Sequence, residues 1–315
     1  MTDQKHILIG GGSGFIGRAL TRELQAAGHR VTIVSRFPGE GRLTWEDVRQ
    51  NGLPPCQAVI NLAGKHILDM RRPWTARYRD EVLRSRVETT STLVDAINAA
   101  TEPPEVFIST AGKCFYGSQA FRSPEQYFDL NEYSAPIGID YPASLVSQWE
   151  AAADRLDGSR VRHVKLRLGI VLADARKKRA GARGIFPMLL GTFKKGLCLR
   201  MGSGVQPFPW VHIDDVVGIF LRALDDRKFC GIFNVVSPGI VSNGTFTRLL
   251  AERLGKPVLG QLPGWLIKTV VGRDRSTILL LGQRIRPART LDHGYRFRFE
   301  TLESCLDDLL ARSSA

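Results

Sequence analysis

The sequence predicts an α/β protein built on a doubly wound parallel sheet, with a smaller C-terminal α/β domain. Three observations predict it. Through the first half, short apolar stretches alternate with helical stretches of ten residues or more, which is the pattern of β-α-β units. The first strand–helix junction, "HILIGGGSGFIGRAL", packs five glycines into residues 10–17. The chain has 315 residues and 43% hydrophobic content, enough for one large or two coupled domains with a substantial core. Residues 1–172 are expected to form the first domain, with return elements near 207–236, and residues 173–315 the second.

In chain order, residues 5–10 read as a buried strand, 14–27 as a helix and 31–35 ("VTIVS") as a second strand. "QAVINLAG" is a third strand running into a tight turn. A long helix over Thr75 to Ala99 turns Val82, Val87, Leu93, Val94 and Ile97 toward a core. "EVFIST" is a strand, 112–142 irregular, "SLVSQWEAAADRL" a helix and "RHVKLRLGIVL" a strand. Right-handed crossovers then place any ligand at the carboxyl ends of the strands. Beyond residue 172 the pattern loosens, without repeats or low-complexity tracts.

The charge balance is +13, from 44 basic and 31 acidic residues, and predicts attraction to anions. It is uneven: "ARKKRAGAR" (Ala175 to Arg183) carries five cations in nine residues. Solvated loops are one reading. Docking of nucleic acid or a protein complex through Lys177, Lys178, Arg179 and Arg183 is the other. The five cysteines are scattered without a C-x-x-C pair, and the histidines lack ligand spacing. That argues against a disulfide framework or a metal site. No apolar run is long enough to span a membrane, and the apolar run from His6 leads straight into the glycines, leaving no room for a signal peptide. The expected compartment is cytoplasmic or the mitochondrial matrix, not secreted.

Gly11, Gly14 and Gly17 form G-x-x-G-x-x-G directly after a strand, with Phe15 and Ile16 at the helix start. The first glycine permits a tight turn, the second lets backbone amides approach a pyrophosphate, and the third lets helix and strand pack closely. The helix N-terminus adds its dipole and free amides. A dinucleotide is therefore expected here. About 20 residues on, an NAD site wants a carboxylate and an NADP site a cation. This chain offers Ser35 and Arg36 in "VSRFPGEGR", which favours NADP (NADPH), with Glu40 nearby keeping NAD open.

These stretches, together with "LTWEDV", "AVINLAG", "RSRVETT", "QWEAAA", "RLGIVL", "PFPWVHIDDV" and "QRIRPARTLDHGYRFRF", resemble family 39U of the atypical extended short-chain dehydrogenases/reductases and its bacterial epimerase-family relatives. The resemblance runs in order over nearly the whole chain. It implies a Rossmann-like nucleotide-binding domain, a small C-terminal substrate or lid domain, and NADP as ligand. It also implies that Gly11, Gly14 and Gly17 line the pyrophosphate and that Ser35 and Arg36 take the 2′-phosphate. Leu62, Ala63 and Gly64 would run beside ribose and adenine, and Glu81, Arg86 and Val171 would complete the surroundings. Arg86 also suits an anionic ligand on charge alone. For Glu81 and Val171, an exposed helix acid and a core valine are equal readings.

Hydride transfer in that superfamily uses Tyr-x-x-x-Lys on one helix face plus a Ser or Thr, the tyrosine moving the proton and the lysine lowering its pKa. Aligned on Glu150, the tyrosine place falls at Pro142 and the lysine place at Val146. Tyr141 is one residue off, and four residues after it stands Leu145. The hydroxyl place falls at Gly112, with Ser109 and Thr110 upstream. Candidate catalytic groups are therefore Tyr141, Lys113 and Tyr116, with His212, Asp214 and Asp215 as further candidates. His212 also reads as making a structural hydrogen bond, and Asp214 and Asp215 as caps of the following helix. The expected activity is NADP-dependent oxidoreductase or epimerase chemistry on a small molecule, anionic if the basic loop borders the cleft. The alternative is an NADP-binding, low-turnover scaffold, assembly or RNA-associated factor.

Overall fold

The computed structural model describes residues 4–69, 71–118, 124–138, 140–173 and 184–314. The basic stretch with Lys177, Lys178, Arg179 and Arg183 lies outside the described residues. Strand β1 (His6–Gly10) is buried throughout, and helix α1 (Phe15–Ala26) and β2 (Arg30–Ser35) follow as the sequence predicts. Two elements then appear that the sequence reading lacks, β3 (Arg42–Thr44) and α2 (Trp45–Asn51). A reciprocal capping box starts α2. Thr44 Oγ1 accepts from the Asp47 amide at 3.1 Å, and Asp47 Oδ2 accepts from the Thr44 amide at 2.7 Å.

Strand β4 (Ala58–Asn61) leads across to α3 (Ala76–Ala99), capped by Thr75, whose hydroxyl accepts from the Tyr78 amide at 3.2 Å. Val82, Leu93, Val94 and Ile97 are buried as expected, and Val87 is half-buried. After β5 (Val106–Gly112) come a 3₁₀ turn (Lys113–Tyr116), β6 (Asp129–Leu130) and α4 (Tyr141–Ala153). The single strand expected next is two, β7 (Arg162–Leu168) and β8 (Ile170–Leu172). They part at Gly169, which is packed so closely that a Cβ would lie 2.7 Å from both Pro209 O and Val236 Cγ1.

The rest comprises α5 (Ile185–Lys194), β9 (Leu199–Met201), β10 (Trp210–His212), α6 (Ile213–Asp225), β11 (Gly231–Val235) and α7 (Asn243–Arg253). Then follow β12 (Gly260–Leu262), α8 (Gly264–Val271), α9 (Arg273–Leu280), β13 (Arg284–Ile285), α10 (Ala288–Asp292) and α11 (Leu302–Ser314).

Seven strands form one parallel, Rossmann-like sheet in the order β11-β7-β5-β4-β1-β2-β3, while β8–β10, β9–β12 and β6–β13 form small parallel pairs. The chain reverses direction across the sheet between β1 and β4, so the ligand crevice of such a fold opens at their carboxyl ends. Alternation along β1 feeds two cores. Ile7 and Ile9 pack with Leu20, Phe220 and Phe233 on one face, and Leu8 packs with Val59, Leu93 and Phe107 on the other. A third core gathers Phe186, Leu190, Trp210, Phe246 and Leu306. At the sheet's β11 edge, Arg289 donates to the carbonyls of Cys230 (2.9 Å) and Ile232 (3.0 Å). On the same strand, Glu132 Oε1 accepts from the Asn234 amide and Thr290 Oγ1 donates to the Asn234 carbonyl.

Candidate active site

The switch point is built from two turns pressed together. Gly11 has φ +75°, and a Cβ there would lie 2.8 Å from Leu62 C and Ala63 N, so only glycine serves. Gly17 is held as tightly, its missing Cβ 2.5 Å from Gly11 O. Gly14 caps α1 without a side-chain hydrogen bond, so the first amides of the helix have no intrahelical or capping partner. A Cβ on Gly14 would meet a single protein atom, Gly11 O at 3.0 Å. Bare amides with a clear approach suit a diphosphate.

At the tip of β2, Arg36 is exposed and makes no ion pair among the described residues, its guanidinium lying 5.7 Å from the Phe37 ring centroid. Ser35 differs from expectation. It is buried, and its hydroxyl donates to Phe37 O at 2.6 Å, which spends the proton a 2′-phosphate would use.

The facing turn after β4 is shaped by Asn61, a residue absent from the sequence expectations. Its Oδ1 accepts from the Ala63 amide at 3.0 Å, and its Nδ2 donates to Thr90 Oγ1, which also accepts from Trp149 Nε1. An asparagine closing a turn at a strand end is the available sequence signal. This buried network fixes Leu62, Ala63 and Gly64 against α3 and α4. Arg86 lies over Gly64, its guanidinium carbon 3.2 Å from where a Cβ would be. It donates only to carbonyls, Lys65 O (2.9 Å) and Val82 O (3.0 Å), and stacks on Trp149. Burial without an acid partner pulls its pKa down to about 10. Glu81 is engaged by Lys65 and by Arg77, and the Lys65 bond holds its carboxyl below the usual range. Val171 sits half-buried against the main core.

The hydroxyl and ammonium places that the resemblance gives meet in space. A Cβ on Gly112 would touch Val146 Cγ2 at 3.4 Å, and Pro142 and Val146 are both buried. The corner where a hydroxyl, a phenol and an ammonium would converge is therefore apolar at all three places. Tyr141, at the start of α4, is half-buried and donates to Arg79 O at 3.2 Å, packed edge-on against Trp74. Burial pushes its phenol up. Lys113 is buried, with Nζ on Gln283 Oε1 at 2.9 Å. Tyr116 is fully buried. It donates to Asn234 Oδ1 (2.9 Å) and accepts from Arg167 (3.2 Å), and Arg167 in turn grips Glu150 bidentately at 2.7 and 2.8 Å. Both hydroxyl partners of Tyr116 are protein groups, so it serves the scaffold.

His212 makes a structural hydrogen bond, one of the two readings of it, while Asp214 and Asp215 differ from the capping expected of them. The cap of α6 is His212, whose Nδ1 accepts from the Asp214 amide at 3.1 Å. Its Nε2 faces Asp308 at 3.2 Å, and burial pulls its pKa down to about 4. Asp215 accepts from the Arg298 and Phe299 amides, and Asp214 from Arg312. These groups tie α6 to the C-terminal segment. Among the described residues no cluster could hold a metal ion, and no helix is long and apolar enough to cross a membrane.

Comparison with known proteins agrees with this geometry. Residues 7–236 match the family described as NAD dependent epimerase/dehydratase, and residues 262–309 match a domain of unknown function, DUF1731. The bovine epimerase family protein SDR39U1 is 43% identical over 306 residues, covering 97% of this chain and 99% of the bovine one. The crystal structure of human epimerase family protein SDR39U1 (isoform 2) with NADPH aligns with a TM-score of 0.90 at 40% identity, covering 97% and 99% of the two chains. The nucleoside-diphosphate sugar epimerase of Corynebacterium glutamicum aligns at 0.74 and 26% identity, over 99% of this chain and 59% of its own. With the glycine turn, the sheet order and the sequence in agreement over nearly its full length, the chain belongs to the NAD dependent epimerase/dehydratase family.

Proposed function

We propose that this chain binds NADPH across the β1–β4 switch point and acts as an NADP-dependent oxidoreductase or epimerase on a small molecule. The observation that carries the reading is Arg36, an exposed cation at the tip of β2 with no acid partner among the described residues, beside a turn with uncapped amides. On this reading the amides of Phe15 and Ile16 hold the diphosphate and Arg36 grips the 2′-phosphate. Leu62, Ala63 and Gly64 give the flat wall beside the adenosine. Residues 1–172, with return elements near 207–236, carry the cofactor, and the rest of residues 173–315 cover the substrate. Bound NADPH supplies the hydride. Tyr141 supplies the proton: its one hydrogen bond, at 3.2 Å, is long for a hydroxyl donor and so replaceable. A phenol kept neutral by burial can donate to an oxyanion.

Titration of purified protein with NADPH and NADH tests the cofactor. NADPH should bind at least tenfold more tightly, and Arg36→Ala should erase that margin. Equal binding of both by the unaltered protein sinks the reading. Consumption of NADPH with a panel of carbonyl compounds, lost in Tyr141→Phe, tests the chemistry. The apolar meeting of Gly112 and Val146 favours a second reading, an NADPH-binding scaffold with little turnover that docks through Lys177, Lys178, Arg179 and Arg183. Tight NADPH binding with no turnover, and nucleic acid that co-purifies and is lost steeply with salt, would select it.

A further inference from the structure

Beside the apolar corner stand two cations that make no ion pair among the described residues. Lys113 is 6% exposed, yet its ammonium meets only the neutral amide oxygen of Gln283, and no Asp or Glu among the described residues lies within ion-pair distance. Gln283 has nothing further to give, because its Nε2 is spent on Gly117 O and Ser118 Oγ. Arg86 is likewise satisfied by carbonyls and a ring alone. Gly112, next to Lys113, meets Val146, and Arg86 lies over the Trp149 ring one turn further along α4, so the two cations flank the same stretch of that helix. The acid nearby, Asp140, caps α4 through the Ala143 amide at 2.8 Å. A buried charge without a counter-charge is costly. Arg167, behind the same corner, shows the other solution, a bidentate bond to Glu150.

We propose that Lys113, together with Arg86, anchors a carboxylate of the substrate, which makes the substrate a small carbonyl acid of the 2-oxo-acid type. This rests on the reading above that the reaction takes place at this corner. The donor count fits. Lys113 has two N–H groups to spare and Arg86 the edge of Nε and Nη2, a match for the four lone pairs of a carboxylate. A phosphate dianion has three oxygens to satisfy and would be left short.

The test is thermal unfolding of the NADPH-saturated protein with pyruvate, 2-oxoglutarate, methyl pyruvate or inorganic phosphate, against sodium chloride at equal ionic strength. At least one of the two acids should raise Tm, and methyl pyruvate should not. Lys113→Met, close in shape and uncharged, should weaken acid binding at least tenfold while leaving the NADPH Kd unchanged. An ester as effective as its acid, a shift with phosphate alone, no shift with either acid, or a shift that survives in Lys113→Met overturns the proposal. If Lys113→Met fails to fold, the acid–ester comparison on the unaltered protein decides. Failure of NADPH to bind, seen before any acid is added, would instead sink the reading on which this one rests.

Discussion

The carboxyl ends of β1 and β5 lie in the same sheet and use opposite materials. At β1 the working parts are backbone amides, exposed because Gly11, Gly14 and Gly17 withhold side chains. At β5 they must be side chains, and at Gly112, Pro142 and Val146 no ionisable group is present. Behind the β5 corner the polar groups are satisfied instead by one another, in the chain Glu150–Arg167–Tyr116–Asn234. The β1 end thus keeps bare amides, while the polar groups behind the β5 corner are bonded to one another.

Breaking that scaffold gives the largest effect. Glu150→Ala strands the buried Arg167 guanidinium and should cost about 3–5 kcal/mol of folding stability, read from urea unfolding. A loss under 1 kcal/mol would mean the corner is not held as described. A pH effect comes next, from the same two strands. His163 on β7 hydrogen-bonds Ser109 Oγ on β5 and stacks on Phe107, and burial pulls its pKa from 6.5 down to about 4. The folded state therefore resists protonation. Its stability is full above pH 6.5 and falls by about 2 kcal/mol by pH 5, while most carboxylates still keep their charge. A flat unfolding curve between pH 7 and pH 5 would refute this.

On the cofactor side, Gly17→Ala drives a methyl into Gly11 O and the Gly12 backbone. It should cost about 1–3 kcal/mol and abolish NADPH binding in the folded fraction. Retained binding would show that the turn tolerates a side chain and is not the cradle. The smallest effect sharpens the comparison. Arg36→Ala should weaken NADPH by about tenfold, the worth of one charged hydrogen bond, and leave NADH unchanged in parallel calorimetric titrations.

The same contrast governs what the sequence reveals. Glycine spacing encodes backbone geometry directly, so the turn and α1 are legible from residues 6–20 alone. The long apolar face of α3 is legible too. Short elements are not, since β3 and α2 have too few residues to show a period, although Thr44 and Asp47 stood at capping-box spacing. Side-chain commitments are legible least. Arg167 and Glu150 are 17 positions apart and Lys113 and Gln283 are 170, and only the folded chain brings them together. The proton of Ser35 and the cap of α6 were misjudged because local competition, by Phe37 O for the one and by His212 for the Asp214 amide in the other, decides them.

The treatment of the sheet's outer edge has its own consequence. Strand β11 would normally offer a row of free amides and carbonyls to a stranger, but Arg289, Glu132 and Thr290 already occupy that row. The opposite border, β3, is three residues long and starts on Arg42. Neither border offers a long free row for a further strand, so the apolar alternation of the inner strands is closed off at both ends of the sheet.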